Sequence, residues 1–308
     1  MKSWKCIKGY EHKGNILGSA NIFDVIDCTK CGFKHVVPIP TEEFLSEYYK
    51  NEFVKNRPKE FYKKMESDVP WLEIFYNEKY DLFDKYLQTK SPSILDIGSG
   101  LGYFLKCGKK RGWKVSGIEP STESYNYSKK MDLDVVNDYL SNKNSKTLGK
   151  FDVINMHEVI EHLPDPQEMI DIAKNMLHSN GILCIASPND FNPLQKSFVK
   201  TSNSDQWWIS PPEHINYFDF QSIESLLQKN GFSVLHKTST FPLEFFLLMN
   251  DDYVNSPKVG KNIHDKRVNF EVNMYKSGYD DVRRELYTQF ANIGLGREFV
   301  VIARKIDD

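Results

Sequence analysis

The stretch Ile94-Leu95-Asp96-Ile97-Gly98-Ser99-Gly100-Leu101-Gly102-Tyr103-Phe104 decides how this chain is read. An apolar run suited to a buried strand enters a glycine-rich turn, and a helical pattern follows. Glycines at such a turn let the backbone approach a ligand closely, and the helix start offers unpaired N–H groups. Dinucleotide-binding proteins use similar turns, so the triplet alone does not choose between ligands. Asp96, two positions before the first glycine, does choose. A carboxylate there suits a cationic ligand or a hydrogen-bond donor and gains nothing from a pyrophosphate. This disfavours the competing reading of a nicotinamide-dependent dehydrogenase.

Outward from this turn, short apolar runs alternate with helical stretches. Strands are expected at Ser93–Ile97, Lys114–Ile118, Leu133–Val136, Phe151–Asn155, Gly181–Ala186, Phe232–Thr238 and Phe299–Ala303. That alternation implies an α/β fold: a Rossmann-like, mostly parallel sheet with helices on both faces. Three zones are expected. Residues 1–40 form a small cysteine-bearing module, and residues 41–90 a helical, aromatic-rich connector or lid. Residues 91–308 form the main domain, with a partly helical insert at about 241–295. In the connector, Phe44/Tyr48, Trp71/Phe75 and Tyr76/Tyr80 are spaced i, i+4, which puts each pair on one helix face. Tyr49, Phe53, Phe61 and Tyr62 add to its aromatic content. The second strand ends in Glu119, where a carboxylate can accept both hydroxyls of a ribose.

At this point the sequence resembles class I S-adenosylmethionine-dependent methyltransferases. The glycine turn resembles their first motif and Glu119 their ribose-binding acid. Phe151-Asp152-Val153-Ile154-Asn155-Met156-His157-Glu158-Val159-Ile160-Glu161-His162-Leu163 resembles their fourth-strand motif. Leu177–Leu183 and Gly294–Glu298 resemble the approaches to their fifth and last strands. The resemblance covers about residues 75–308. It implies a seven-stranded sheet whose last strand is antiparallel. It also implies cofactor contacts from Asp96, Gly98, Ser99, Gly100, Gly102, Glu119, the Asn137-Asp138 loop, Met156 and His157.

Cys28-Thr29-Lys30-Cys31-Gly32 is a metal knuckle, since the two-residue gap lets both thiolates face one tetrahedral ion. Cys6 and His12 are the further ligands weighed. From Cys28 to Phe53 the chain resembles the zinc-binding amino-terminal module of nucleotide-sugar methyltransferases, which carries two knuckles. Here the first knuckle lacks a cysteine. A bound zinc ion and a metal-free remnant of a zinc-ribbon-like module are therefore both open.

Methyl transfer to a hydroxyl requires loss of its proton, so a histidine beside the methyl group is expected. Ser210-Pro211-Pro212-Glu213-His214-Ile215-Asn216 follows the fifth strand, in a loop that should reach the cleft at the strand ends. It resembles the Glu-His pair of sugar methyltransferases, with His214 as general base and Glu213 as its partner. His157 is a further catalytic candidate. The competing group is Glu158, Glu161 and His162, whose spacing puts all three on one side of a helical turn. It resembles the metal-dependent O-methyltransferases of ubiquinone synthesis and of RNA 3′ ends, with His214 as a later ligand. A magnesium or manganese ion would sit there. The same residues also occur as packing beside the cofactor in metal-free methyltransferases. His12, His35, His178, His236 and His264 carry no motif, so surface or packing roles are expected for them.

Composition bounds the function. A net charge of −2, with 40% hydrophobic and 27% charged residues among 308, is ordinary for a globular chain. It points to neither nucleic-acid nor anionic-membrane partners. The chain opens without an apolar leader, and no apolar run approaches the ~20 residues of a membrane span. Cytoplasmic residence is expected, with the odd number of cysteines read as thiols or metal ligands. The leading expectation is an O-methyltransferase of a small hydroxylated metabolite, above all a nucleotide-activated or phosphorylated sugar. Sugar C- or N-methylation, and a cofactor-binding subunit without catalysis, are the alternatives.

Overall fold

A computed structural model describes residues 2–6, 9–48, 61–87 and 89–306. Tyr49 and Phe53, and the side chains of Phe61 and Tyr62, lie outside the described residues. The amino-terminal part is antiparallel: β1 (Lys2–Lys5), β2 (Glu11–Ala20), β3 (Phe23–Cys28) and β4 (Lys34–Val37). Helices α1 (Glu42–Tyr48) and α2 (Phe61–Tyr86) follow. The main domain then runs β5 (Ser93–Ile97), α3 (Tyr103–Lys110), β6 (Lys114–Ile118), α4 (Thr122–Lys130), β7 (Val135–Val136), α5 (Ser145–Leu148) and β8 (Phe151–His157). A 3-10 turn at Ile160–His162 leads to α6 (Pro166–Met176), β9 (Leu177–Pro188), α7 (Pro193–Ser202), β10 (Asn216–Tyr217), α8 (Phe220–Lys229) and β11 (Phe232–Ser239). The stretch between the last two long strands holds α9 (Glu244–Leu248), α10 (Pro257–Lys276) and α11 (Asp280–Asn292), and β12 (Glu298–Lys305) follows. Among the described residues, no helix is long and apolar enough to cross a membrane.

Seven strands form the main sheet in the order β11-β12-β9-β8-β5-β6-β7. β5 pairs in parallel with both β6 and β8, while β12 runs antiparallel to β9 and β11. Strand alternation explains why both faces are covered. Ile94, Val153, Ile182, Cys184, Val300 and Ile302 enter one apolar cluster with Tyr80, Phe83 and Phe104. Their neighbours Leu95, Ile154, Leu183, Ile185, Val301 and Ala303 enter the other, with residues of α6 and α8. Near-continuous apolar strands between two helical layers are what a buried parallel sheet requires. β7 is shorter than expected and β9 longer at both ends. The short β7 is an edge strand that pairs only with β6.

Because the chain leaves β5 toward β6 and later returns to its other side with β8, a crevice opens at the strand ends around β5. The second sheet is spliced to this region. Its order is β1-β2-β3-β4-β10, so its last strand comes from the main domain, directly after His214.

Candidate active site

The glycine turn after β5 has Gly98, Gly100 and Gly102 at φ of 73°, 53° and 81°, in the left-handed region that favours glycine. The amides of Gly98 and Ser99 both donate to the Ile118 carbonyl, at 2.9 and 3.2 Å, which pulls the turn against the end of β6. A Cβ on Gly98 would come within 2.6 Å of Val159, and one on Gly102 within 2.6 Å of Leu133. A Cβ on Gly100 would meet nothing within 4 Å. Gly100 is thus the position where backbone lies open to a ligand.

Two buried carboxylates flank that opening. Glu119, one residue past β6, accepts from the Gly100 amide at 2.8 Å through Oε2 and from the Ser121 amide at 2.7 Å through Oε1. Asn137 Nδ2 donates to the Glu119 carbonyl at 2.8 Å and ties the next loop to the same point. Asp96 accepts from Asn155 Nδ2 at 2.6 Å, yet burial pushes its carboxyl up to about 6. Ser99 Oγ is buried without a hydrogen-bond partner among the described residues. Met156 is fully buried, and His157 at the end of β8 faces Glu298 at 3.5 Å. Burial opposes ionisation of Glu298, but the His157 ring holds it down at about 2. Asp138 is exposed and accepts from the Tyr139 amide and from Asn144. Two acids, an open glycine backbone and an orphan hydroxyl around one opening fit a ligand that carries an amine and a ribose.

Farther along the crevice, Glu161, His162 and His214 bring one ligand atom each within 4.8 Å of one another. Glu161 is buried, and its Oε2 accepts from Ser187 at 2.9 Å. Among the described residues, its buried Oε1 has no hydrogen-bond partner, and neither has the buried His214 Nδ1. His162 Nδ1 donates to the Glu213 carbonyl at 2.7 Å, which leaves Nε2 as a lone-pair donor 3.9 Å from Glu161. Burial, then the charge of Glu158, raise the Glu161 pKa well above its usual range. Burial lowers His162, and burial followed by the charges of His162 and Arg297 lowers His214 to about 3. A cation placed among the three would favour the ionised carboxylate and the neutral imidazoles, reversing the shift of Glu161 and reinforcing those of the two histidines.

Three sequence expectations change here. Glu158 does not join Glu161, His162 and His214. It has φ of 54° at the end of β8, and only the three residues Ile160–His162 form a turn, so no helical face spans Glu158 to His162. Its carboxyl lies against Glu298 instead. Glu213 does not serve as partner of the His214 ring, because its carboxylate accepts from Tyr48 at 2.9 Å. The carboxylate brought to His214 is that of Glu161. In the amino-terminal sheet, His12, Cys28 and Cys31 converge, but Cys6 is not among them. Their fourth neighbour is His35, for which a surface or packing role is expected from the sequence. The spacing Cys28-x2-Cys31-x3-His35 was the available signal. Ser187, which orients Glu161, had none.

A family model described as "Methyltransferase domain" matches residues 71–237, more than half of the chain. A ubiquinone biosynthesis O-methyltransferase of Actinobacillus pleuropneumoniae serotype 7 is 26% identical over 164 residues, 45% of this chain and 70% of the relative. The protein of the same name from Haemophilus ducreyi is 27% identical over 165 residues, with the same shares covered. Among solved structures, a SAM-dependent methyltransferase from Archaeoglobus fulgidus superposes with a TM-score of 0.49 at 17% identity, over 79% of this chain and 99% of that one. The plantazolicin methyltransferase BpumL, solved with SAH, gives 0.49 at 15% identity, over 85% and 94%. The chain belongs to the methyltransferase-domain family matched by that model and is an S-adenosylmethionine-dependent methyltransferase.

Proposed function

We propose that this enzyme methylates a hydroxyl of a small acceptor seated against Glu161, His162 and His214, and that these side chains hold a divalent ion. One observation carries the reading: three metal-type donors converge, and among the described residues the buried Glu161 Oε1 and His214 Nδ1 have no hydrogen-bond partner. Leaving buried polar atoms unpaired is costly, so a native cluster of this kind calls for a ligand. Two imidazoles with one carboxylate suit a first-row transition ion such as manganese better than magnesium.

When bound, such an ion supplies Lewis acidity toward an acceptor oxygen. The chain's own residues orient the donors. Ser187 fixes the Glu161 carboxylate, and the Glu213 carbonyl fixes which nitrogen of His162 carries the proton. The methyl group is already activated on a sulfonium, so the remaining work of the site is positioning. Asp96, Gly100 and Glu119 would place the cofactor, with Gly98, Ser99, Gly102, Asp138, Met156 and His157 lining its site.

Oxygen as the acceptor atom follows the name shared by the curated relatives, ubiquinone biosynthesis O-methyltransferase. A three-donor set leaves coordination capacity for two adjacent acceptor hydroxyls, the chemistry of an ortho-diphenol or of a sugar diol. A nucleotide-activated sugar is one member of that class.

The test is transfer of a labelled methyl group to 3,4-dihydroxybenzoate and to nucleotide-sugar diols, with and without chelator. Turnover on at least one diol should vanish with chelator and return with manganese. A second reading keeps His214 as a general base, its ring half-buried beside the cleft. A ring lowered to about 3 by burial, His162 and Arg297 is poorly matched to that task near neutral pH. Chelator-insensitive turnover that falls ~10²–10⁴-fold in His214→Ala would establish the base and reject the ion.

A further inference from the structure

The amino-terminal sheet brings together four donors that the methyl-transfer reading does not use. His12 on β2, Cys28 at the end of β3, Cys31 in the knuckle and His35 on β4 place one ligand atom each within 4.8 Å of one another. His12 Nδ1 lies 3.1 Å from His35 Nε2, 3.4 Å from Cys31 Sγ and 3.7 Å from Cys28 Sγ. Zinc bonds of ~2.0–2.1 Å to nitrogen and ~2.3 Å to sulfur imply tetrahedral edges of roughly 3.3–3.8 Å, close to these separations. The His35 Nδ1–H donates to the Val36 carbonyl at 2.9 Å, which fixes the tautomer and leaves Nε2 as a lone pair facing the other three atoms. Gly32 closes the knuckle at φ of 78°, and its amide donates to the Cys28 carbonyl at 2.9 Å. His12, Cys28 and His35 are buried, and both cysteines are free thiols.

The same strand that carries His35 is bonded to the acceptor site. In the β4–β10 pairing, His35 stands opposite Asn216. The Val36 amide donates to the Ile215 carbonyl at 2.9 Å, one residue past His214. From the other side, the Ile215 amide donates to the Glu161 carbonyl at 2.8 Å. Asn216 Nδ2 donates to the carbonyls of Ile160 and Leu163, at 3.0 and 2.7 Å. The segment that presents His214 is thus held between the four-donor cluster and the turn that presents Glu161 and His162.

We propose that His12, Cys28, Cys31 and His35 bind one tetrahedral zinc ion, and that this ion, through β4 and β10, sets the position of His214 against Glu161 and His162. The first half stands independently; the second rests on the acceptor-site reading above. His35 is therefore both a metal ligand and a positioning residue for the acceptor site.

The test begins with elemental analysis and cobalt substitution of the full-length protein. Wild-type protein should carry about one zinc equivalent that Glu161→Gln retains. Its cobalt form should show tetrahedral d–d bands and thiolate-to-cobalt charge transfer. Cys28→Ser and His35→Ala should lose both features, Cys6→Ser should keep them, and His35→Cys should keep the ion with added thiolate intensity. Binding of S-adenosylhomocysteine by calorimetry identifies variants whose main domain is folded. Zinc below a tenth of an equivalent with no tetrahedral cobalt spectrum, or retention in His35→Ala with loss in Cys6→Ser, would overturn the site. For the coupling, folded His35→Ala should raise the acceptor KM about tenfold or more, leave the cofactor KM unchanged, and be rescued by His35→Cys. Loss of zinc with unchanged acceptor kinetics would overturn the coupling while leaving the acceptor site itself standing.

Discussion

At Asp96 and Glu119, local sequence and chemistry coincide. Both acids sit at or just past the ends of adjacent parallel strands, and the turn between them is built from glycines, so the strand-turn-helix pattern alone places them. Glu119→Ala should remove hydrogen bonds to a ribose worth ~1.5–3 kcal/mol each before water compensates. S-adenosylmethionine affinity measured by calorimetry should then fall at least tenfold; unchanged binding would contradict the assignment. Asp96 adds a pH dependence. Its folded pKa of about 6, set by burial, lies above the ordinary ~3.9, so the apo protein favours the neutral acid below that pH. A cationic ligand favours the carboxylate. Cofactor binding should therefore strengthen as pH rises from ~5 to ~7 and level off above. A flat profile in wild-type protein, or the same slope in Asp96→Asn, would remove Asp96 from the site. His35, in contrast, had only its three-residue spacing from Cys31 as a signal in the sequence. Its Nε2 comes to 3.1 Å from His12 Nδ1 although β3 lies between their two strands in the sheet. Glu158 misled for the opposite reason: its i, i+3, i+4 spacing to Glu161 and His162 has meaning only on a helix, and the chain makes a three-residue turn there.

At the scale of elements, two of the three aromatic pairs expected on helix faces, Trp71/Phe75 and Tyr76/Tyr80, fall in α2, and the third, Phe44/Tyr48, falls in α1. Trp71 meets Phe75 edge-on at 5.6 Å, and Tyr80 stacks on Phe104 of α3 at 4.8 Å. What local spacing could not show is the partner on α2's other side. The helices between β11 and β12 lock onto it through buried charge. Arg283 of α11 is fully buried and donates to Glu78 of α2 at 2.8 Å and to Asp280 at 2.8 Å. Glu271 of α10 accepts from Trp71 Nε1 at 2.5 Å and from the Tyr287 hydroxyl at 2.6 Å. A fully buried arginine breaks the usual rule for that residue, and the expectation of a partly helical insert at about 241–295 did not point to it. Glu78→Ala strands the guanidinium without its buried partner. It should destabilise the fold by about 3–5 kcal/mol in urea unfolding, since breaking one side of a buried pair leaves an uncompensated charge. A loss below ~1 kcal/mol would mean that Asp280 alone satisfies Arg283.

At the scale of the molecule, the amino-terminal sheet takes its last strand, β10, from the main domain, and the proposed acceptor site lies beside that strand. The seven-stranded sheet was legible because each strand announces itself by an apolar run and each helix by its period. β10 was not, because Asn216–Tyr217 is a two-residue strand with no pattern of its own. Titration of metal-free protein with Mn2+ decides whether Glu161, His162 and His214 hold a divalent ion. The signal of free Mn2+ would be followed by electron paramagnetic resonance in the presence of S-adenosylhomocysteine. The architecture predicts uptake of one Mn2+ per chain by wild-type protein and by Cys28→Ser, and loss of that uptake in Glu161→Gln and His214→Ala. An undiminished free-Mn2+ signal with wild-type protein, or equal uptake by Glu161→Gln, would contradict it.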